Sequence, residues 1–432
     1  MSLRIGDFLT SPDGGVYEVS ATHEAGGMGA TCFVTEQSTG SEYVAKAPLD
    51  INNAVDRKCI ELEFRVISEL EKSGVQGIMI PKCLLSFDSP NGSFPVLIVE
   101  KARGITLAKA TENSGLPYGD VADILSKVAE SMSGVHQSGY MHLDLSPDNI
   151  MIDDAGGANE ITIIDFGVAA RKSDSGTFAV SRDFNAKKKF FSPPEQIQNQ
   201  PSQRSDLFSL GAVGFSLILG QKKTFELVMR ADKDPPHDLD YHIPPKTQTS
   251  EQTHLHAVIK KATWPDKGGR FATMEEMSDF IAGKEPDTNF PRIIADSRVF
   301  RLTGEGPWTI GRDNPFGDTP EIPVKETSVT EPYISRKHAV ISRRPDGVLV
   351  LSDTGSVNGT RARIGQGSKT RWRKLPGSGF PMGSRYQEFC LGYANHPPGN
   401  AMDKDGNPVM PGPYKTIEFE PPEPDSDVNQ SP

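Results

Sequence analysis

Apolar and polar positions alternate from about residue 6 to residue 49, with turn signals at Pro12-Asp13-Gly14-Gly15 and Thr39-Gly40-Ser41. A period of two between such turns predicts a run of antiparallel strands. The period then lengthens: over residues 56–72, Ile60, Phe64, Ile67 and Leu70 recur at helical spacing. Residues 94–99 form an apolar run, which predicts a buried strand leading into the polar stretch Glu100-Lys101-Ala102-Arg103-Gly104. Between residues 118 and 139, Val121, Ile124, Leu125, Val128, Met132 and Val135 make a second helical stripe, which Gly139 is placed to end. Two short apolar runs, 150–152 and 161–164, predict a hairpin of buried strands. Arg204-Ser205-Asp206 reads as the cap of an apolar helix over residues 207–219, ended by Gly220, and a short amphipathic helix follows Arg270.

After residue 283 the pattern changes again. The polar stretch 284–291, with Pro286 and Pro291, suits a domain boundary. Beyond it, short apolar runs at 298–302, 308–310, 339–341, 348–351 and 389–391 are separated by Gly, Pro and Asp, the pattern of a β-sandwich. Residues 396–432 are rich in Pro, Gly and acidic side chains. Apart from a strand-like piece at 415–419 they hold too little apolar surface to bury a core, which predicts a disordered acidic tail. The fold class is therefore α+β, with an all-β sandwich after the first domain.

With 432 residues the chain has room for two or three domains. Hydrophobic content of 36% and charged content of 24% are ordinary for soluble globular protein. A formal charge of -11 argues against a surface built mainly for nucleic acid or anionic membrane, because phosphate rewards a basic face. The first ten residues hold no basic stretch running into an apolar one, and no long uncharged apolar segment follows, so a soluble, cytoplasmic protein is expected. Cys32, Cys59, Cys83 and Cys390 lack CxxC spacing; reduced thiols are expected, with neither zinc nor a disulfide framework.

The candidate chemistry lies in Tyr140-Met141-His142-Leu143-Asp144-Leu145-Ser146-Pro147-Asp148-Asn149 and Ile163-Ile164-Asp165-Phe166-Gly167. Buried strands beside these stretches would fix two carboxylates and an amide at one end of a hairpin. In-line phosphoryl transfer needs that set: one group to deprotonate a hydroxyl, two to hold magnesium against nucleotide phosphates. Upstream, Gly26, Gly27 and Gly29 would let backbone approach phosphates, with Lys46 of Val44-Ala45-Lys46 on the next strand. Together these stretches resemble the protein kinases, whose motifs are a glycine-rich loop, V-A-I-K, H-R-D-L-x-x-x-N and D-F-G.

The resemblance implies a bilobal protein-kinase fold over residues 6–283, with an N-lobe at about 6–101 and a C-lobe at about 102–283. It implies ATP and Mg2+, with Asp144 as catalytic base, Asn149 and Asp165 as metal ligands, and Lys46 on the phosphates, held there by a helix glutamate. Glu63 is preferred for that role because Ile67 and Leu70 then fall where the family places apolar residues; Glu61 is the alternative. Backbone groups from Glu100 to Ala102 would bind adenine, with Val99 behind the base. Ser192-Pro193-Pro194-Glu195 resembles the family's A-P-E, whose glutamate pairs with a late arginine, here Arg270, while an aspartate like Asp206 braces the catalytic loop. That set builds a peptide platform, so the implied acceptor is a protein serine or threonine.

Three positions depart from the family. Glu24 stands for the first loop glycine, Leu143 for the arginine that reads an activation-loop phosphate, and Ser146 for a lysine near the transferred group. Losing the last cation removes stabilisation of transition-state charge. These departures keep an alternative open: a catalytically weak or inactive kinase-fold scaffold.

Within the predicted sandwich, residues 292–395, stand Thr309-Ile310-Gly311-Arg312, Ser335-Arg336-Lys337-His338 and Ser356-Val357-Asn358-Gly359. They resemble, in order, the G-R, S-R-x-H and S-x-N-G motifs of the forkhead-associated (FHA) domain. An arginine fork, a hydroxyl and an amide on neighbouring loops can hold a phosphate and the peptide beside it. By resemblance, Arg312, Ser335 and Asn358 contact phosphothreonine, Arg336 supports them, and Gly311, His338 and Gly359 are scaffold. The implied partners are protein substrates and phosphothreonine proteins, including the chain's own loops, where Thr177 is one candidate. Neither nucleic acid nor membrane is expected as a partner.

Overall fold

The computed structural model describes residues 3–22, 30–90, 92–153, 159–171, 190–198, 201–230, 249–284, 290–313, 320–324, 334–364, 371–392 and 414–422. These form two compact units. The first comprises the described residues up to Ala170 together with 190–193 and Ser205–Thr263; the second comprises Arg171, those of Pro194–Arg204 and those from Trp264 onward.

The first unit opens with a six-stranded sheet in the spatial order Phe8–Thr10, Val16–Thr22, Ala30–Glu36, Glu42–Ala47, Gly92–Glu100, Pro81–Ser89. All its pairs are antiparallel, as the alternating pattern predicts. Leu9, Tyr17, Val19, Val34, Ala45 and Phe94 point to one buried core. Helix Ala54–Lys72 starts where the Asn53 side chain accepts the Val55 N–H. Its buried face is Ile60, Glu63, Val66, Ile67 and Leu70. Phe64, which the periodicity puts on that face, is only half-buried, and Val66 takes its place.

Helix Tyr118–Gln137 buries all six apolar residues of its predicted stripe, and Gly139, at φ 86°, turns the chain away in a conformation that favours glycine. The hairpin Ile150–Asp153 with Glu160–Ile163 follows, Ile152 opposite Ile161 and Ile150 opposite Ile163. Helix Gln203–Leu219 begins earlier than its sequence suggests, so Asp206 lies in its first turn rather than at its cap. It is buried on nearly every side, consistent with its apolar sequence.

In the second unit, two sheets face each other across a core that includes Ile310, Ile341, Leu351, Phe389 and Phe419. One sheet runs Ile322–Val324, Trp308–Arg312, Ala339–Arg343, Leu349–Asp353, Phe380–Met382; the other runs Arg298–Arg301, Arg292–Ala295, Tyr414–Glu420, Gln387–Gly392, Thr360–Ile364, Arg371–Lys374. This is the predicted sandwich with one correction. The strand Tyr414–Glu420 is an inner strand of the second sheet, paired with Arg292–Ala295 and Gln387–Gly392, and not an isolated piece of the tail. Ile417 and Phe419 are buried and supply the apolar face that admits it. Short helices Pro194–Ile197 and Met274–Ile281 belong to the same unit.

Among the described residues no helix is long and apolar enough to cross a membrane, and all four cysteines are free thiols.

Candidate functional site

Lys46 is buried on the strand Glu42–Ala47, with Nζ 2.6 Å from Glu63 Oε1 and 3.3 Å from Asp165 Oδ1. The helix stripe selects the glutamate: Glu63, 1% exposed, lies between Ile60 and Ile67 on the core face, whereas Glu61 is exposed. Glu63 also accepts the Phe166 N–H at 3.2 Å. Burial penalises the Lys46 ammonium, but Asp165 and Glu63 outweigh it and hold its pKa well above the ordinary lysine range. Burial works equally against the Asp165 carboxylate, and there the Lys46 charge prevails and lowers its pKa. Glu63 moves the other way, pushed up by burial that Lys46 offsets only in part.

The loop from His142 to Asn149 is held from behind by Asp206. Its buried carboxylate accepts the N–H groups of His142 at 2.9 Å and Leu143 at 2.8 Å, and lies 2.8 Å from His136 Nε2. Leu143 has φ 65° and Asp165 φ 69°, left-handed conformations that cost about 1–3 kcal/mol each outside glycine. The Asp206 bonds offset that cost at Leu143. His142 accepts the Asp144 N–H through Nδ1 at 3.2 Å, so its Nε2–H is the group that donates to the Ile164 carbonyl, also at 3.2 Å. Its ring packs on Phe166 with centroids 4.7 Å apart. His136 is a residue the motifs miss. Its only sequence signal is a polar group directly after Val135 in an apolar stripe.

Asn149 donates from Nδ2 to the Asp144 carbonyl at 2.8 Å and to its carboxylate at 3.2 Å, and its own carbonyl accepts the Ile164 N–H at 2.9 Å. These bonds bring Asp144, Asn149 and the Asp165 segment together. With the Asn149 nitrogen spent on Asp144, its side-chain oxygen and the Asp165 carboxylate are the atoms suited to a hard cation. No cluster of three or more His, Cys, Asp or Glu able to hold a metal occurs among the described residues; a magnesium site sharing its ligands with phosphates would need no such cluster. In the expected adenine segment the Glu100 N–H is committed to the Ile80 carbonyl at 2.9 Å, and Ala102 is half-buried. Gly26, Gly27 and Gly29, with Glu24, lie outside the described residues, as does Thr177.

In the second unit Arg270 holds Glu195 by two bonds, 2.7 and 3.0 Å, the pair expected from sequence. The sandwich brings its three motifs to one end. Arg312 N–H donates to the Ser335 carbonyl at 3.0 Å. His338, fully buried, accepts the Ser335 N–H on Nδ1 at 3.1 Å, and its Nε2 lies 3.1 Å from both the Gly359 carbonyl and Ser356 Oγ. One ring thus ties the loops carrying Ser335 and Asn358. Gly311 is required by packing, since a Cβ there would meet the Arg336 carbonyl at 1.9 Å. Arg312, Ser335 and Asn358 are half-buried and Arg336 is exposed. Asp353 braces the Asn358 loop by accepting from Ser356, Gly355 and Thr360.

The protein kinase domain model matches residues 18–279, and the FHA domain model matches residues 308–371. A probable serine/threonine-protein kinase PknB of Corynebacterium glutamicum is 26% identical over 275 residues, covering 61% of this chain and 41% of its own length. A probable serine/threonine-protein kinase of Clostridium perfringens, CPE1738, is 27% identical over 266 residues, covering 58% of this chain and 37% of its own. The chain thus spans less than half the length of these relatives. Among solved structures, a double-mutant form of the Mycobacterium tuberculosis PknI kinase domain is 20% identical, with a TM-score of 0.49, covering 66% of this chain and 99% of that one. The chain belongs to the protein kinase family and carries an FHA domain after its kinase domain.

Proposed function

We propose that the chain is a serine/threonine protein kinase that moves the ATP γ-phosphate to protein hydroxyls, with an FHA module that binds phosphothreonine partners. The observation that carries this reading is Lys46 Nζ, fixed between Glu63 and Asp165. Lys46 binds nucleotide phosphates, and Glu63 holds its direction. Asp144 orients the acceptor hydroxyl and takes its proton. Asn149 and Asp165 would hold magnesium by oxygen. When bound, that ion supplies charge neutralisation on the phosphates. With the Glu100 N–H already engaged, other backbone groups of Glu100 to Ala102 contact the base.

Arg312, Ser335 and Asn358, with Arg336 beside them, form the phosphopeptide site. A reader tethered to a writer raises the local concentration of substrates that already carry phosphothreonine.

Labelled phosphate transfer from ATP and Mg2+ to the chain and to a generic basic protein tests the reading. Asp144→Ala should lower kcat by about 10²–10⁴-fold, the usual contribution of a general base. Arg312→Ala should abolish binding of phosphothreonine peptides. Absence of transfer in the wild type, with phosphopeptide binding intact, would give the scaffold reading, which the departures at Leu143 and Ser146 motivate.

A further inference from the structure

Within the second unit, segments covered by the kinase match interlock with strands of the sandwich. Arg204 is fully buried and donates from Nε to Glu418 at 2.7 Å and from its other end to Glu420, both on Tyr414–Glu420. Lys267 pairs with Glu388, and Arg292 with Glu276 and Glu420. The Arg204 guanidinium lies over the Tyr386 ring at 5.1 Å. A Cβ on Gly268 would meet the Tyr386 Cβ at 2.6 Å and its ring at 2.7 Å, so the surfaces fit at close range. Contacts between tethered domains are ordinarily polar and open to water. Here the side chains of Arg204, Glu418 and Glu420 are 1%, 5% and 8% exposed, which is the burial of a core.

The same arginine reaches the Glu195–Arg270 pair. Arg204 Nη1 donates to the carbonyls of Lys267 at 3.2 Å and Arg270 at 3.3 Å. Arg270 Nη1 donates back to the Arg204 carbonyl at 2.9 Å while holding Glu195. Without the two carboxylates, a buried guanidinium has lost its charge partners and must turn out to water. It would then release the carbonyls that locate Arg270.

We infer that the strand Tyr414–Glu420 completes the kinase's peptide platform: Glu418 and Glu420 position Arg204, and through it the Arg270–Glu195 pair. The peptide site is therefore whole only when the sandwich, including this strand from beyond the FHA match, is folded. This inference rests on the proposed kinase activity for the meaning of the platform, but not for its structural part.

The test uses the full chain with Glu418→Gln and Glu420→Gln together. Amide hydrogen exchange over residues 194–198 and 264–272 should accelerate about tenfold, and the peptide KM should rise about tenfold while the ATP KM stays within about twofold. Phosphothreonine-peptide affinity at Arg312 should hold. If the double variant does not fold, Glu418→Gln alone, which leaves Arg204 its Glu420 partner, gives the same signature at smaller amplitude. Unchanged exchange in both segments would overturn the inference, and so would faster exchange with an unchanged peptide KM. A wild type that transfers no phosphate would sink the kinase reading instead, and exchange alone would then decide the structural claim.

Discussion

A single glutamate, Glu63, fixes the direction of the ammonium that the proposed mechanism sets on phosphate. Lys46 has two anionic neighbours, but they are not equivalent: Asp165 has a second task as a metal ligand in the proposed mechanism, while Glu63 is buried and also anchored by the Phe166 N–H. Neutralising Glu63 therefore leaves the ammonium with the Asp165 carboxylate and draws it onto the group proposed to hold the metal. Glu63→Gln should lower kcat/KM for phosphate transfer about a hundredfold, the scale of losing one preorganised electrostatic contact. Exposed Glu61→Gln should change it less than about twofold, as surface substitutions usually do. Steady-state kinetics on both variants separates the two glutamates, and equal losses would show that the helix turns differently in the working enzyme.

At the level of elements, the loop from His142 to Asn149 is braced by Asp206 in the first turn of the helix Gln203–Leu219. Leu143 is buried, carries no charge to read a phosphate, and has a left-handed conformation in which its N–H donates to Asp206. Replacing every serine and threonine between residues 173 and 192 by alanine should thus leave transfer to a peptide within about twofold, unlike kinases whose loops are ordered by phosphorylation. A large drop in the same assay would show a phosphate-dependent switch that Leu143 does not serve. The hairpin could be read from sequence because it depends on local spacing, two apolar runs; the loop and the Lys46–Glu63 pair were legible only through the resemblance of their motifs to the protein kinases, which left Glu61 open until the helix face was seen. The sandwich was less legible. Thr360–Ile364 and Arg371–Lys374 are short and rich in arginine, so neither shows a clear apolar face. Tyr414–Glu420 carries Glu418 and Glu420, which look like tail residues until Arg204, more than two hundred positions earlier, supplies their charge partner. Ion pairs between distant segments leave no periodic trace. For the same reason the buried role of Arg204 was invisible in Arg204-Ser205-Asp206.

Across the whole molecule, charge is distributed so that acid should act on the second unit in a defined way. Burial disfavours the Glu388 carboxylate, but Lys267 and Arg363 outweigh it and hold its pKa at about 2. Glu420 is lowered in the same manner, burial being overcome by Arg204 and Arg292. A carboxyl whose native pKa lies below its unfolded value binds fewer protons when folded, so its stabilisation is complete above about pH 5 and is lost as pH falls towards about 2. For Glu388 the shift from 4.5 to about 2 corresponds to roughly 3 kcal/mol. All three tryptophans, Trp264, Trp308 and Trp372, lie in this unit, so their fluorescence reports on it without added probes. Urea midpoints followed by that fluorescence should be flat above about pH 5 and fall steadily below it. In Glu388→Gln the midpoint should start lower at neutral pH, because Lys267 and Arg363 lose their shared partner, and should fall less steeply in acid, because a proton-linked group is gone. A variant as acid-sensitive as the wild type would assign the loss to other carboxylates and remove Glu388 from the account.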